Sequence, residues 1–389
     1  MKRVTLGHIA IVVAAAGLAV SFAFGDYDRA ESQMKSFYSQ MAKADFDGAR
    51  RSMDEAIRLW PSNARYHAWR GYAISQNLPS QCPASDTKTR EQVGQAAADY
   101  RRALQLNGRD AVAHHDLGWL DHLLGQDREA RQEWEQAVAL DPDTAIYHLS
   151  LGMFLEEAGA AEAANRQYIT ALELSPAILD SPFFTRYRAR SPERAEAMVK
   201  EAMAQTEMRL GNSNDPILKA RLGKFYLFRG DIQRGAEILE GSARDLPDLP
   251  LVWFNLGEAR RLQGNLEEAW TCYQKARFLD GSLAGPPLRM GEMYNDAGQR
   301  TQAAGDLRLA EQKWAHINPV TAAHNNRLYG GIPQPIDDLL PTTLVWYTSP
   351  CEASEAYRAL SALFPENKMY AARSRTCEDL PDPHPEKKL

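Results

Sequence analysis

The chain has 389 residues, of which 44% are hydrophobic and 25% are charged, and its formal net charge is −6. These values are ordinary for a folded protein and fit either two or three domains or one long repeat array. Nucleic-acid-binding proteins usually carry basic patches, whereas no run of Lys and Arg here is longer than two or three residues. The composition therefore argues against a nucleic-acid partner.

The first predicted element is an apolar stretch near the N-terminus. Lys2 and Arg3 precede a run from Ile9 to Phe24 that carries no charge, and Asp26 follows directly. Basic residues before such a run and acidic residues after it favour an orientation with the N-terminus inside and the remaining chain outside. We therefore expect residues 26–389 to lie outside the cytoplasm.

Two interpretations of residues 1–25 remain open. The run is long enough to span a bilayer as an uncleaved anchor, which predicts a single-pass inner-membrane protein with a periplasmic C-terminal domain. It also fits a cleavable signal peptide with Ser21 and Ala23 at the −3 and −1 positions, which predicts a periplasmic protein. A membrane contact through an N-terminal helix is expected only in the first case.

Self-similarity with a period of 34 residues dominates the middle of the chain. Residues 111–144 align with residues 145–178 without a gap, and the matched pairs are Leu117-Gly118 with Leu151-Gly152, Gly125 with Gly159, Trp134 with Tyr168, and Pro142 with Pro176. The same phase returns downstream at Leu222-Gly223, Leu256-Gly257 and Met290-Gly291. A fixed period of this length indicates a repeat architecture.

Two glycine positions in the period have different physical reasons. Gly118 and Gly152 fall inside a predicted helix, where Gly costs about 1 kcal/mol relative to Ala, so we expect a neighbouring helix to approach them closely. Gly125 and Gly159 end the same helix, where the left-handed backbone conformation favours Gly. Each period therefore predicts a helix, a tight turn and a second helix packed on the first.

This pattern resembles the tetratricopeptide repeat (TPR), a helix–turn–helix unit of the same length. The resemblance covers residues 30–317 in seven units, at 30–63, 64–110, 111–144, 145–178, 216–249, 250–283 and 284–317. It implies an all-α fold, a TPR-type right-handed superhelical solenoid of helix–turn–helix repeats with an irregular C-terminal cap.

Two departures from the period divide the repeat region. A first block of four repeats, 26–178, is predicted to contain an insertion at about 75–94, a Pro-, Ser- and Thr-rich loop that holds Cys82. Residues 179–215 have the length of a repeat without its Leu-Gly signal, and we interpret them as a degenerate repeat or a bend. A second block of three repeats follows at 216–317.

The tail at 318–389 is rich in proline and forms the predicted cap. A short amphipathic helix at 353–364 is expected to cover the last repeat, because open solenoid ends need capping. Cys351 and Cys377 flank this helix. In an oxidising compartment they are candidates for a disulfide, although the sequence alone leaves free thiols equally open.

The sequence offers no constellation of residues for catalysis. Motifs for nucleotide binding, zinc-dependent hydrolysis and a nucleophilic serine are absent from it. His115 and His122 stand two helical turns apart, about 10 Å, which is too far to share one metal ion. We therefore predict no enzyme activity, no metal and no cofactor. Three further histidines hold the fourth repeat position, where half-buried packing is expected: His67, His114 and His148.

The resemblance also implies that the first helix of each unit lines a concave groove for partners. The candidate groove residues are Trp69, Tyr72, His115, Trp119, His122, Met153, Arg221, Lys224, Asn255, Arg261 and Arg289. Trp, Tyr, Met and Arg are enriched at protein interfaces. In the alternative interpretation, Trp69 and Trp119 pack the interior of the superhelix and touch no partner.

Two functions fit these expectations. The resemblance implies a non-catalytic protein-interaction scaffold of the cell envelope, binding a partner protein or peptide in the groove. The alternative is a carbohydrate-binding accessory protein for surface polysaccharide assembly or export, because aromatic grooves also stack on sugars.

Overall fold

The computed structural model describes residues 26–41, 45–76, 78, 87–211, 213–281, 283, 285–316, 354–363 and 365. The predicted N-terminal segment at 1–25 lies outside these residues, as do Cys82, Cys351 and Cys377. No strand occurs in the described part, which is all-α as predicted. None of its helices has both the length and the apolar character needed to cross a bilayer.

The helices follow one another in antiparallel pairs joined by short turns. In chain order they are α1 (26–41), α2 (Phe46–Leu59), α3 (Ala64–Gln76), α4 (Thr87–Leu106), α5 (Ala111–Leu123), α6 (Asp127–Leu140), α7 (Ala145–Glu157), α8 (Ala161–Leu174), a 3-10 helix (Pro176–Asp180), α9 (Pro182–Arg190), α10 (Pro192–Gly211), α11 (Pro216–Phe228), α12 (Ile232–Asp245), α13 (Pro250–Leu262), α14 (Leu266–Leu279), α15 (Gly285–Asp296), α16 (Arg300–His316) and α17 (Ser354–Leu363).

The chain divides into two compact units, residues 1–140 and residues 141–389. In the first unit α2 packs on α3, α3 on α4, α4 on α5 and α5 on α6. In the second unit the pairs α7–α8, α11–α12, α13–α14 and α15–α16 pack in the same way. These pairs match the predicted repeats, so the helix–turn–helix period is confirmed.

The mid-helix glycines of the period lie where a second helix crosses the first. A Cβ atom on Gly152 would stand 2.7 Å from the ring of Tyr168, and one on Gly118 would stand 2.7 Å from the ring of Trp134. At the end of the same helix Gly159 has a φ of 79°, in the left-handed region. Both positions thus require Gly for the two reasons that the sequence suggested.

The segment at 179–215, predicted as a degenerate repeat or a bend, lies wholly inside the second unit. Helix α9 begins after Ser181, whose side-chain oxygen accepts a hydrogen bond from the backbone N–H of Phe184 at 3.2 Å. Helix α10 packs against both α8 and α11. This segment therefore continues the stacking of helices, and the boundary between the two compact units lies earlier, at residues 140 and 141.

The predicted insertion at 75–94 overlaps two helices, since α3 ends at Gln76 and α4 begins at Thr87. Helix α4 begins at Thr87 and is 20 residues long, against 14 for the equivalent helix α6. Residues 87–93 contain no Gly or Pro, and Thr89 and Val93 are buried. Burial of this apolar face extends the helix into what the composition alone indicated as loop.

The helix predicted in the C-terminal tail is α17, and it packs on α16. Leu360 and Leu363 are buried in one apolar cluster with Leu288 of α15 and with Ala303 and Leu307 of α16. This contact covers an apolar face of the last repeat that would otherwise be exposed.

Candidate interaction site

The predicted groove aromatics of the first repeats are core residues. Trp69 is 2% exposed, and its ring lies 5.0 Å from Phe37 and 5.6 Å from Tyr38, measured between ring centroids. Tyr72 is 1% exposed and lies 5.7 Å from Trp69. The aromatic side chains of α1 cover this side of α3, so neither Trp69 nor Tyr72 offers an accessible surface to a partner.

The same correction applies to the next repeat. Trp119 is buried and stands 4.9 Å from Trp134, with its indole N–H donating to Nε2 of His115 at 3.3 Å. His115 is buried as well, whereas His122 is half-buried and contacts Asp127 at 3.0 Å. The alternative interpretation therefore holds for both Trp69 and Trp119, because second-helix and preceding-repeat side chains enclose them.

The structure contains a buried charged cluster between α4, α5 and α6 that the sequence did not predict. The Asp121 carboxylate is almost fully buried and pairs with Arg101, and burial raises the pKa of Asp121 to about 6 although Arg101 opposes this. Burial disfavours a charged His114 ring, but its hydrogen bonds with Glu133, at 2.5 Å, and with the Gly108 carbonyl raise its pKa overall. Across the described residues, no group of His, Cys, Asp and Glu side chains is arranged to hold a metal ion.

In the second unit, the structure brings two predicted groove residues together on one carboxylate. Glu258 of α13 is buried, and its oxygens lie 3.0 Å from Arg261 and 3.3 Å from Arg289 of α15. The Tyr273 hydroxyl donates a hydrogen bond to the same carboxylate. Burial would raise the pKa of Glu258, but the charge of Arg289 and the hydrogen bonds from Arg261 and Tyr273 hold it below its usual value.

The remaining predicted residues are accessible to different degrees. Met153, Arg221 and Asn255 are half-buried on their first helices. Lys224 is mostly buried and pairs with Asp180 at 2.5 Å. The Nε atom of Arg221 is buried and has no hydrogen-bond partner within the described residues.

A second cationic cluster lies around α9, outside the predicted set. Arg190 and Arg194 both approach Glu156, at 3.2 Å and 3.6 Å, and both guanidinium groups stand beside the Tyr187 ring. Arg188 stands beside the Phe228 ring. Arginine alternates with other residues over 186–190 and returns at Arg194, and this pattern in the sequence could have indicated the cluster.

The match to a family model agrees with the helical repeats. A model of the tetratricopeptide repeat matches residues 34–77, 124–177 and 221–283. A tetratricopeptide repeat protein from Parabacteroides merdae is 14% identical and matches over 82% of this chain and 99% of that chain, with a TM-score of 0.33. The C-terminal part of a TPR repeat-containing protein from Cytophaga hutchinsonii is 12% identical over 87% of this chain and 98% of that chain, with a TM-score of 0.30.

Another solved structure, described as YrrB, a TPR protein with an unusual peptide-binding site, is 15% identical over 60% of this chain and 95% of that chain, with a TM-score of 0.27. No curated protein matches the chain. The residues matched by the repeat model, the period of the sequence and the paired helices all describe one architecture. This chain is therefore built from tetratricopeptide repeats.

Proposed function

We propose that this protein is a non-catalytic scaffold of the cell envelope that binds a segment of a partner protein along the first helices of its second unit. Tetratricopeptide repeats support protein–protein interaction in general. The envelope location rests on the apolar sequence at 1–25, with Lys2 and Arg3 before it and Asp26 after it.

One observation supports this site most directly. Arg221, Asn255 and Arg289 occupy the same position in successive repeats, 34 residues apart, and all three are half-buried on first helices. Half-buried polar side chains in a regular series can hydrogen-bond with an extended chain while their stems remain fixed by packing. A partner segment that runs across α11, α13 and α15 would meet one such side chain per repeat.

The buried Glu258 fixes part of this series before a partner arrives. Its ion pairs with Arg261 and Arg289 restrain both guanidinium groups, so less side-chain freedom is lost when they bind. Arg presents several N–H donors in a rigid fork, which suits the carbonyl and carboxylate oxygens of a peptide. The second unit therefore offers a preorganised polar surface.

The carbohydrate-binding alternative has less support. It relied on an aromatic groove that stacks on sugar rings, and Trp69 and Trp119 are enclosed by neighbouring side chains. In the second unit the regular series of half-buried first-helix residues, Arg221, Asn255 and Arg289, is polar. Polar side chains can bind glycans without aromatic stacking, so glycan capture is one outcome of the experiment.

The test places a photo-crosslinking amino acid at Asn255 in the full-length chain, expressed in its native membrane. A matched control carries the same amino acid at Thr271, which is exposed on the second helix α14. We expect specific envelope proteins to crosslink from position 255 and to be absent or weak from position 271. Equal crosslinking from both positions, or none, contradicts the groove, and glycan capture without protein would favour the alternative.

The intact mass of the recovered protein decides the location of the chain. A mass that retains residues 1–24 in the membrane fraction supports the anchor, whereas a mass that begins near Phe24 supports a periplasmic protein. Recovery of the full-length chain from the soluble cytoplasmic fraction would contradict both.

A further inference from the structure

The irregular segment between the fourth and fifth predicted repeats carries cations interleaved with aromatic rings. The Arg188 guanidinium lies 5.6 Å from the centroid of the Phe228 ring, and those of Arg190 and Arg194 lie 5.5 Å and 5.8 Å from the centroid of Tyr187. Lys224 stands one helical turn before Phe228 on α11. We call these six residues the arginine–aromatic surface.

Cations outnumber carboxylates on this surface. Arg190 and Arg194 share the single carboxylate of Glu156, and Lys224 pairs with Asp180. Arg188 is exposed and its guanidinium contacts an aromatic ring. Nearby, Glu196 of α10 is already paired with Arg229 at 3.1 Å. The local excess of positive charge contrasts with the net charge of −6 for the whole chain.

A second feature of the same place is an unsatisfied polar atom. The Tyr187 side chain is 2% exposed, and its hydroxyl oxygen is buried without a hydrogen-bond partner among the described residues. Arg190 and Arg194 flank this ring. Because this hydroxyl is buried, it stays out of reach of a docked segment, and Tyr187 contributes the aromatic ring beside which the two guanidinium groups are held.

Because the planar guanidinium group binds carboxylates in a bidentate manner and also stacks on aromatic rings, this arrangement fits acidic side chains that alternate with apolar ones. We propose that the arginine–aromatic surface is a docking site for an acidic segment of the partner protein. This inference rests on the proposed protein-binding function and names the chemistry of its partner. Arg221, one turn before Lys224 on α11, extends the positive charge toward α13.

The experiment measures the fluorescence anisotropy of a short labelled peptide, rich in Glu and Asp and containing one Phe, on titration with the full-length chain. The test variant is Arg188→Glu/Arg190→Glu. The matched control is Arg128→Glu/Arg131→Glu on α6, where both arginines are exposed and the change in net charge is the same. We expect the test variant to weaken binding about tenfold or more and the control to leave it nearly unchanged.

A milder variant tests the same surface if the double mutant does not fold. Arg188→Gln removes only a charge beside Phe228 and is expected to weaken peptide binding severalfold, with an unchanged far-UV circular dichroism spectrum. A peptide with Gln and Asn in place of its Glu and Asp residues is expected to bind weakly to every variant. A higher salt concentration should weaken the binding of the acidic peptide.

Several outcomes overturn the proposal. Equal loss of binding in the test and control variants would show unspecific attraction, and no loss in either would show that the peptide binds elsewhere. Tighter, site-dependent binding of dextran sulfate would identify a polysaccharide instead of a protein segment. Two outcomes separate this inference from the scaffold proposal. If crosslinking from Asn255 captures the same partners in the Arg188→Glu/Arg190→Glu variant as in the unsubstituted chain, only this inference fails. If the acidic peptide binds at this surface but crosslinking captures no envelope protein, only the scaffold proposal fails.

Discussion

The Nε2 atom of His148 lies 2.8 Å from the carbonyl oxygen of Pro142, six residues earlier in the turn that leads into α7. The fourth residue of three other repeats makes the same contact with the carbonyl six residues before it: His67 with Pro61 at 2.9 Å, His114 with Gly108 at 3.3 Å, and Trp253 with Pro247 at 2.8 Å. A ring nitrogen at this position therefore closes the turn between successive repeats, and His and Trp are equivalent for this purpose.

This contact predicts different effects for two aromatic substitutions. His148→Phe fills the space without a ring nitrogen and is expected to lower the free energy of unfolding by about 1–3 kcal/mol, because the Pro142 carbonyl and the Gln167 side chain both lose a hydrogen-bond partner. His148→Trp keeps a ring N–H that can donate to this carbonyl, as the Trp253 ring donates to Pro247 in its own repeat. This variant should therefore lose less stability than His148→Phe. Urea denaturation checks both, and a His148→Phe variant as stable as the wild type would show that the ring only fills space.

The mid-helix glycine of the fourth repeat predicts a destabilising change to alanine. A Cβ atom at Gly152 would stand 2.7 Å from the Tyr168 ring, so Gly152→Ala should cost about 1–3 kcal/mol through overpacking. Gly305 of α16 meets nothing within 4 Å and serves as the control. Gly305→Ala is expected to stabilise by up to about 1 kcal/mol. Equal effects in thermal unfolding would contradict the close approach of α8 to Gly152.

The buried Asp121 predicts a dependence of stability on pH. Its folded pKa of about 6 is above the unfolded value of 3.8, so the folded state binds the proton more tightly. The resulting contribution to stability is complete below the unfolded pKa and is lost as the pH rises through about 6. Wild type should therefore lose stability relative to Asp121→Asn between about pH 4 and pH 7, by roughly 1–3 kcal/mol.

Denaturant titrations of both proteins at several pH values check the sign for Asp121. Asp143→Asn is the control, because Asp143 is exposed in the turn before α7. A difference between wild type and Asp121→Asn that stays constant across this pH range would contradict the raised pKa.

The carboxylate of Glu258 predicts the opposite dependence. Glu258→Gln leaves Arg261 and Arg289 without their shared negative charge and should lower the free energy of unfolding at pH 7 by about 2–4 kcal/mol. Because the folded pKa of Glu258 lies below 4.5, its contribution is present above that pH and is lost as the pH falls through the folded pKa. The difference from wild type should shrink there, whereas the exposed Glu267→Gln should match wild type throughout.

The repeat phase and the helix pairs could be read from the sequence because they rest on local and periodic signals. Gly152 and Gly159 stand in positions that the period marks, and the structure gives both the roles expected of them. Residues 87–93 could not be assigned in this way, since the segment follows a Pro- and Ser-rich stretch and its helical state depends on burial of Thr89 and Val93.

The sequence by itself thus determined the all-α repeat, the register of its units and the residue types on each first helix. Only the tertiary structure decided which of these side chains remain accessible, because exposure depends on the neighbouring helix that packs against each one. Helix α1 encloses Trp69, and Trp134 encloses Trp119. The cations Arg190 and Arg194 meet Glu156 through packing of helices that no local pattern encodes.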